Sequence, residues 1–307
     1  MTDLKNELSW SKSREDVFSH CKRQYYYRYY GSWGGWEQGV EPRIRDLYVL
    51  SKLKNRHMWA GEVVHDCVER TLKNIEAGID PLPVDEIVGI TKDRMRADFR
   101  NSRDGLYKEK PKSCALTEHE FGEPLPDAEW KDLANHVERC LRTFYRSELY
   151  AEIRSIPIKN WLEVEQHASF PLEGVRVNVK LDFAYRKGDE IVIADWKTGR
   201  NSGADNSRQL GCYAFYAQGK WGVPPEKIQT LEFSLPTGKI LGRRPKQEDM
   251  AAVESFIRGS IADMKKLLAE PADNRPLDEK EFSYTDDART CGRCNFRRVC
   301  PGYKGKN

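Results

Sequence analysis

Two acidic residues and a lysine in the middle of the chain have the types and spacing for phosphoryl chemistry. Over residues 174–186, Val175, Val177, Val179, Leu181, Phe183 and Tyr185 alternate with Arg176, Asn178, Lys180 and Asp182. A period of two is that of a half-buried strand, with the apolar set facing one way and Asp182 on the polar face. In the following apolar stretch, 190–197, Ile191, Ile193, Asp195 and Lys197 share one face. A tight turn at Lys187-Gly188 sets Asp182 opposite Ile193 and on the same face as Asp195, as diagonal neighbours roughly 7–8 Å apart at the backbone. Carboxylates so placed converge on one hard divalent cation, Mg²⁺ or Mn²⁺. Lys197 beside them would orient a water or stabilise charge developing on phosphorus. These parts describe phosphodiester hydrolysis, and a register one residue different would separate the carboxylates. The D/E-x-K tripeptide alone is unspecific, since it recurs at Asp3-Leu4-Lys5, Glu129-Trp130-Lys131, Asp263-Met264-Lys265 and Asp278-Glu279-Lys280. Only the Asp195 copy follows a short apolar strand with an aspartate in the hairpin strand before it.

A second constellation is Cys291, Cys294 and Cys300, spaced C-x2-C-x5-C near the end of the chain. Three thiolates are one short of the four that zinc and iron–sulfur sites usually take. Cys67, Cys114, Cys140 and Cys212 are scattered singly and read as ordinary buried thiols. Met1 to Trp10 has no apolar leader segment, and no apolar run approaches the ~18 residues of a membrane span. The expectation is a cytoplasmic protein that touches no membrane, whose cysteines are free thiols or metal ligands rather than disulfides.

The elements that must position these groups follow from periodicity and capping. The 307 residues carry 51 basic and 48 acidic side chains, a net charge of +3. That is too small to argue for a polyanionic partner by itself, but its distribution is uneven. Ala288 to Asn307 holds six basic residues and no acidic one. Lys22 to Arg56 interleaves Lys and Arg with Tyr25, Tyr26, Tyr27, Tyr29, Tyr30, Trp33 and Trp36, a mixture that suits phosphates and unstacked bases or, equally, a small aromatic core. Helices are expected from Ser11 or Ser13 towards Tyr30, over about 44–54, 59–77 and 84–103, and from Asp127, as cap, to about Tyr150. Strands are expected over 161–170, 174–186, 190–197 and 228–235, with helices at about 206–218 and 247–270 and a turn at Pro236 and Gly238. Helices around a small mixed sheet make an α/β core with helical additions.

Taken in order, these residues resemble the PD-(D/E)XK nuclease superfamily, in particular its RecB-like branch. Gly61-Glu62-Val63-Val64-His65 is similar to the branch's G-x3-H helix, whose histidine is a metal ligand. Asp182 matches the first acidic ligand, and Ala194-Asp195-Trp196-Lys197-Thr198-Gly199 matches the D-x-K-T-G box. Gln209 and Tyr213 match the Q-x3-Y motif, four apart on one helix face. Cys21 with Cys291, Cys294 and Cys300 resembles the four-cysteine iron–sulfur arrangement of AddB and of the CRISPR-associated RecB-like nucleases. Two departures stand out. Val179-Lys180-Leu181-Asp182 replaces the commoner G-x-I/V-D, and Trp196 is bulky for the middle of D-x-K, although its side chain should point to the opposite face.

The resemblance implies a restriction-endonuclease-like mixed sheet flanked by helices, with helical N-terminal additions and an iron–sulfur clasp joining the termini. It implies one nuclease domain over 1–307: a helical part to residue 60 carrying Cys21, a helical insertion over 80–150, a catalytic sheet core over 161–235, and a basic Cys-rich tail over 271–307. His65, Asp182 and Asp195 would hold Mg²⁺ or Mn²⁺, with the carbonyl of Trp196 as a further ligand; Lys197 would assist the attacking water, and Gln209 and Tyr213 would position the strand. Glu165, upstream, is an extra acidic group with no assigned role. A [4Fe–4S] cluster is favoured over zinc, in a structural role. Closing the loop from Cys21 to Cys291 costs roughly 5 kcal/mol, which metal binding worth about 10 kcal/mol offsets. The function implied is a metal-dependent DNA exonuclease on single strands or ends, without helicase motifs of its own, working with a partner such as a helicase or a CRISPR or defence complex. The alternatives are a non-cleaving iron–sulfur DNA-binding or scaffold subunit of such a complex and, more remotely, a zinc-stabilised nucleic-acid-binding module.

Overall fold

The computed structural model describes residues 5–199 and 207–303. Asn206, Lys304 and Lys306, which carried part of the expected helix and basic tail, lie outside the described residues. The first half is helical: α1 (Lys12–His20), α2 (Lys22–Tyr26), α3 (Pro42–Ser51), α4 (Arg56–Glu76), α5 (Val84–Arg103), the short α6 (Leu106–Glu109) and α7 (Thr117–Glu120), α8 (Asp127–Tyr145) and α9 (Glu148–Ser155). A two-residue strand, β1 (Ser9–Trp10), precedes them. The sheet follows as β2 (Trp161–Leu172), β3 (Val175–Lys187) and β4 (Glu190–Lys197), then α10 (Ser207–Trp221), β5 (Ile228–Ser234), β6 (Lys239–Arg243) and α11 (Gln247–Lys265). A short α12 (Ala288–Gly292) carries the first cysteine of the tail.

The mixed sheet pairs β3 with both β2 and β4 antiparallel, β4 with β5 parallel, and β5 with β6 antiparallel. The start of the chain joins it, since Ser9 and Trp10 run parallel to Arg176 and Val177. Parallel neighbours need a crossover, and α10 supplies it between β4 and β5. Each face of the sheet has its own core. On one face, Trp59, Val63, Val64, Val68 and Leu72 of α4, at helical spacing, pack with α5, α8 and α9 against Phe183, Tyr185, Val192, Ala194, Trp196 and Phe233. On the other face, α10 and α11 cover Val177, Val179, Leu181, Ile191 and Ile193. A third, small core joins Tyr27, Leu47, Leu50 and Tyr107 to Phe296 of the tail.

The structure departs from the expectations in several places. The first helix breaks at Cys21, whose extended backbone ends α1 and whose sulfur caps α2 by accepting from the Gln24 N–H at 3.4 Å. The helix from Asp127 breaks before Ser147, which caps α9. Asp127 is the first residue of α8, after Pro126, rather than its cap. The last long helix stops at Lys265, and β1 and β6 were not expected at all. The apolar residues of 174–186 do not form one face. Val175 to Leu181 enter the core beneath α10 and α11, whereas Phe183 and Tyr185 enter the core beneath α4 and α8. Finally, Tyr25, Tyr27 and Tyr30 are buried core residues, not a surface for bases; Trp33 and Trp36 alone of the seven named aromatics are more than a third exposed.

Candidate active site and cysteine pocket

Two tight turns align the acidic residues. The β2–β3 hairpin closes through Glu173-Gly174, both at positive φ (52° and 71°), the geometry of a type I′ turn. Val164 then pairs with Phe183 and Gln166 with Leu181, which sets Glu165 across from Asp182. The β3–β4 hairpin closes through Gly188-Asp189, with Gly188 at φ 64° as the first loop residue. This is not the expected Lys187-Gly188 turn, and pairing shifts by two residues. Phe183 pairs with Ala194, so Asp182 stands across from Asp195 rather than from Ile193. A shift of two preserves the face, so the carboxylates become direct rather than diagonal neighbours. In the next strand Glu232 pairs with Asp195. One carboxylate per strand, Glu165, Asp182, Asp195 and Glu232, thus forms a buried row, each less than a tenth exposed.

The groups divide into two sets. In the first, His65 Nδ1 on α4 lies 3.1 Å from Glu165 Oε1 and 3.4 Å from Asp182 Oδ1. Among the described residues this is the one group of three His, Cys, Asp or Glu side chains whose ligand atoms lie within 4.8 Å of one another. Glu165 is in the left-handed region (φ 48°) inside a strand, a strained position for a glutamate. Its other oxygen meets Lys180 Nζ at 2.6 Å, so the lysine that departs from the resemblance neutralises the acid that the sequence left without a role. Asp182 Oδ2 accepts the Trp196 N–H at 2.6 Å. Gly61 explains the G-x3-H spacing: a β-carbon there would meet Thr198 Oγ1 at 2.9 Å, so the glycine lets α4 approach the end of β4.

The second set is a closed ring. Lys197 Nζ lies 2.7 Å from Asp195 Oδ2 and donates to Gln209 Oε1 at 2.8 Å. Gln209 Nε2 donates to the Tyr213 hydroxyl at 2.6 Å, and that hydroxyl reaches back to Asp195 Oδ1 at 3.5 Å. The structure thus brings together all four residues of the D-x-K and Q-x3-Y motifs. Trp196 points its indole to the opposite face, edge-on to Phe144 at 5.1 Å. Both sets line one cleft of about 800 Å³, with Lys12, Asp16 and Asn178 at its walls.

Electrostatics follow from this crowding. Burial, then the charge of Asp182, pushes the Asp195 carboxyl up to about 7. Burial opposes the charged form of His65, but Asp182 and Glu165 outweigh it and hold the imidazole well above its ordinary value. Proton-hungry carboxylates around an imidazole are what a divalent cation relieves. The donor set fits: one imidazole nitrogen and several carboxylate oxygens, with Glu165 Oε2 and Asp195 Oδ2 each met by a lysine ammonium but by no well-directed hydrogen bond.

The chain matches the family model of the PD-(D/E)XK nuclease superfamily over residues 9–301. It belongs to that superfamily. No curated protein matches the chain. Among solved structures it is similar to the crystal structure of SSO0001, at 15% identity and a TM-score of 0.30, over 58% of this chain and 80% of that one. The superfamily is one of nucleases, which suggests metal-dependent cleavage of phosphodiester bonds in DNA, and the His65, Glu165 and Asp182 group offers a place for the metal. No helix among the described residues is long and apolar enough to cross a membrane.

Cys21, Cys291, Cys294 and Cys300 line one small pocket together with Gln24, Tyr27, Tyr284 and Thr290. Burial pushes the Cys294 thiol up to about 12, and the neighbouring Cys21, Cys300 and Cys291 add to the shift. The tail is pinned beside the first helices. Asn295 Nδ2 donates to the Leu53 carbonyl at 2.6 Å, Arg298 pairs with Asp46 and Glu120, and Arg297 pairs with Glu123. Two of the tail's six basic residues are therefore engaged by carboxylates.

Glu165 is the site residue that sequence reasoning set aside; Glu232, which pairs beside Asp195 without lining the cleft, was not singled out. A signal for Glu165 existed in Glu173-Gly174, a turn sequence that, once taken as the centre of a hairpin, places residue 165 opposite 182.

Proposed function

We propose that this chain is a metal-dependent deoxyribonuclease acting on single strands or strand ends. The observation that carries this reading is the Asp195–Lys197–Gln209–Tyr213 ring set beside the His65, Glu165 and Asp182 group in one cleft. His65, Asp182 and Asp195 would hold Mg²⁺ or Mn²⁺, joined by Glu165 and by the Trp196 carbonyl. When bound, the metal supplies a polarised phosphoryl oxygen and a water of lowered pKa.

The remaining work falls to the chain. Lys197, held between Asp195 and Gln209, places a fixed positive charge where the attacking water and the phosphoryl oxygens meet. Gln209 and Tyr213 fix the lysine and carry strand-facing hydrogen-bonding groups. Trp196, through its N–H, turns Asp182 so that the other carboxylate oxygen faces His65. We also propose that the four-cysteine pocket holds a [4Fe–4S] cluster in a structural role. The fit lies in the side chains: four thiols line one pocket from two ends of the chain, while Cys67, Cys114, Cys140 and Cys212 lie outside its lining.

The test is cleavage of end-labelled single- and double-stranded DNA by anaerobically purified protein, with EDTA, Mg²⁺ or Mn²⁺, beside Lys197→Ala. Metal-dependent cutting lost in the variant establishes the nuclease, and the product ladder gives its polarity. Absence of cutting on every substrate, with iron and sulfide present in the protein, rejects autonomous nuclease activity. Iron and sulfide analysis with visible absorbance tests the cluster, and stoichiometric zinc in its place would overturn it.

A further inference from the structure

Trp33, Trp36 and Tyr48 lie away from the cleft residues and belong to none of the three cores. The two indoles are 39% and 38% exposed, yet they are not loose. They meet edge to face, with centroids 5.0 Å apart and planes at 85°, and Trp36 meets Tyr48 at 5.8 Å in the same manner. The turn that carries them uses Gly34 at φ 79°, and Gly35 lies so close to Tyr48 that a β-carbon has no room. Arg45 ties the turn to α3 by donating to the Gly35 carbonyl at 3.0 Å. Rings ordered this firmly outside any core present a fixed apolar surface to water, a cost that a ligand would remove.

Cationic groups gather beside the Tyr48 ring. Lys52 Nζ sits 4.6 Å from the Tyr48 ring centroid, and Arg28 and Lys112 act on it as like charges. Two carboxylates of the loop are also exposed: Glu37, which follows Trp36 and donates its N–H to the Gly34 carbonyl at 2.9 Å, and Glu41 further on. Lys54, two residues beyond Lys52, pairs with Glu62, a wall residue of the cleft. The Cα atoms of Lys52 and Lys54 are at most about 7.6 Å apart, at ~3.8 Å per residue, so the aromatic cluster leads along the end of α3 to the lip of the cleft.

We infer that Trp33, Trp36 and Tyr48 form a stacking platform for unpaired bases of single-stranded DNA, with Lys52 and Arg28 against its phosphates, upstream of the cleft. The chemistry is that of single-strand recognition: a π-face stacks any base, and ammonium and guanidinium groups follow the backbone. A base pair within a duplex has its faces covered by its neighbours, so the platform selects single strands or frayed ends. This rests on the nuclease reading for its substrate, but its test does not.

The test uses the full chain in EDTA, where no cutting occurs, with an end-labelled oligothymidylate about 20 nucleotides long and a blunt hairpin duplex as probes. Trp33→Ala/Trp36→Ala is expected to weaken oligothymidylate binding about tenfold or more, while Trp33→Phe/Trp36→Phe retains most of the affinity, since a phenyl ring still stacks. Hairpin binding should change little, and the thermal midpoint of both variants should match the parent, because the rings lie outside the cores. Unchanged oligothymidylate affinity in the Ala variant overturns the platform, as does an equal loss for the hairpin. Trp-dependent binding by a protein that never cuts DNA would keep the platform and remove the nuclease. Cutting by a protein whose binding ignores both tryptophans would do the reverse.

Discussion

The carboxylate cleft and the cysteine pocket both gather ligand-type side chains from distant parts of the chain, but they are built differently. In the cleft, the acids Glu165, Asp182 and Asp195 stand one per strand on β2, β3 and β4, and the ladders fix their spacing. Each buried charge is answered nearby: Glu165 by Lys180, Asp195 by Lys197, Asp182 by His65 and the Trp196 N–H. In the pocket, the four cysteines are only partly buried, and they sit at a helix cap, in a short helix and in turns. Their position relies on pins such as Arg298 with Asp46 and Asn295 with Leu53. Strands hold a catalytic group to the tolerance chemistry needs, whereas turns leave a site to be tightened by what it binds.

That contrast predicts opposite mutational signatures. The largest effect belongs to Lys197→Ala, which should lower cleavage by about 10³-fold or more with little change in the thermal midpoint. Retained cutting would remove the ring from the mechanism. Cys21→Ser should do the converse, removing iron and costing several kcal/mol, a fall in midpoint of roughly 5–10 °C for a chain of this size. A midpoint matching the parent would mean that the pocket binds nothing that matters to folding. Glu165→Gln should weaken Mn²⁺ binding about 10- to 100-fold by calorimetry, the range typical of groups that hold a ligating histidine. Wild-type affinity would return Glu165 to a purely structural role.

The smallest effect is one of pH. The folded Asp195 value of about 7 lies above the ordinary 3.8, so the native state binds more protons than the unfolded chain between those values. Stability of the metal-free protein from this group therefore declines as pH rises through that window. His65, also raised, contributes in the same direction as pH climbs past its ordinary value. A divalent cation must displace these protons, so the midpoint gain on adding Mn²⁺ should be greater at pH 8 than at pH 6, and Asp195→Asn should flatten the difference. A gain independent of pH would show that neither group faces the metal.

How much of this was legible in the residues depends on whether the signal was local. The strands over 161–197 and the helices over 56–76 and 84–103 follow from period and punctuation, because apolar spacing and flanking Gly or Pro are properties of short windows. The face shared by Asp182 and Asp195 was legible for the same reason, since an error of two residues in register leaves parity intact. The register itself was not, because Lys187-Gly188 and Gly188-Asp189 are both acceptable two-residue turns and the choice rests on packing of Phe183 and Tyr185 beneath α4 and α8. Glu165 was obscured by its positive φ, which no sequence rule assigns to a glutamate in a strand. The buried tyrosines misled because Tyr25, Tyr27 and Tyr30 look alike on a surface or in a core. What decides is the tail, whose Phe282 and Phe296 come more than 250 positions later to pack against Tyr26, Tyr27 and Tyr30.

The short first strand has a consequence for how the chain is made. Trp10 finds its partner, Val177, only after about 170 further residues, and Cys21 meets Cys300 later still. At roughly 5–20 residues per second, synthesis leaves Trp10, Phe18 and Tyr25 without their covering strands and helices for about 10–30 s or longer. The segment that closes both the sheet and the cysteine pocket is thus made well before the residues that shelter it. A newly made chain passes through a long interval in which Trp10, Phe18 and Tyr25 are open to chaperones and to neighbouring chains, and Cys21 to oxidation.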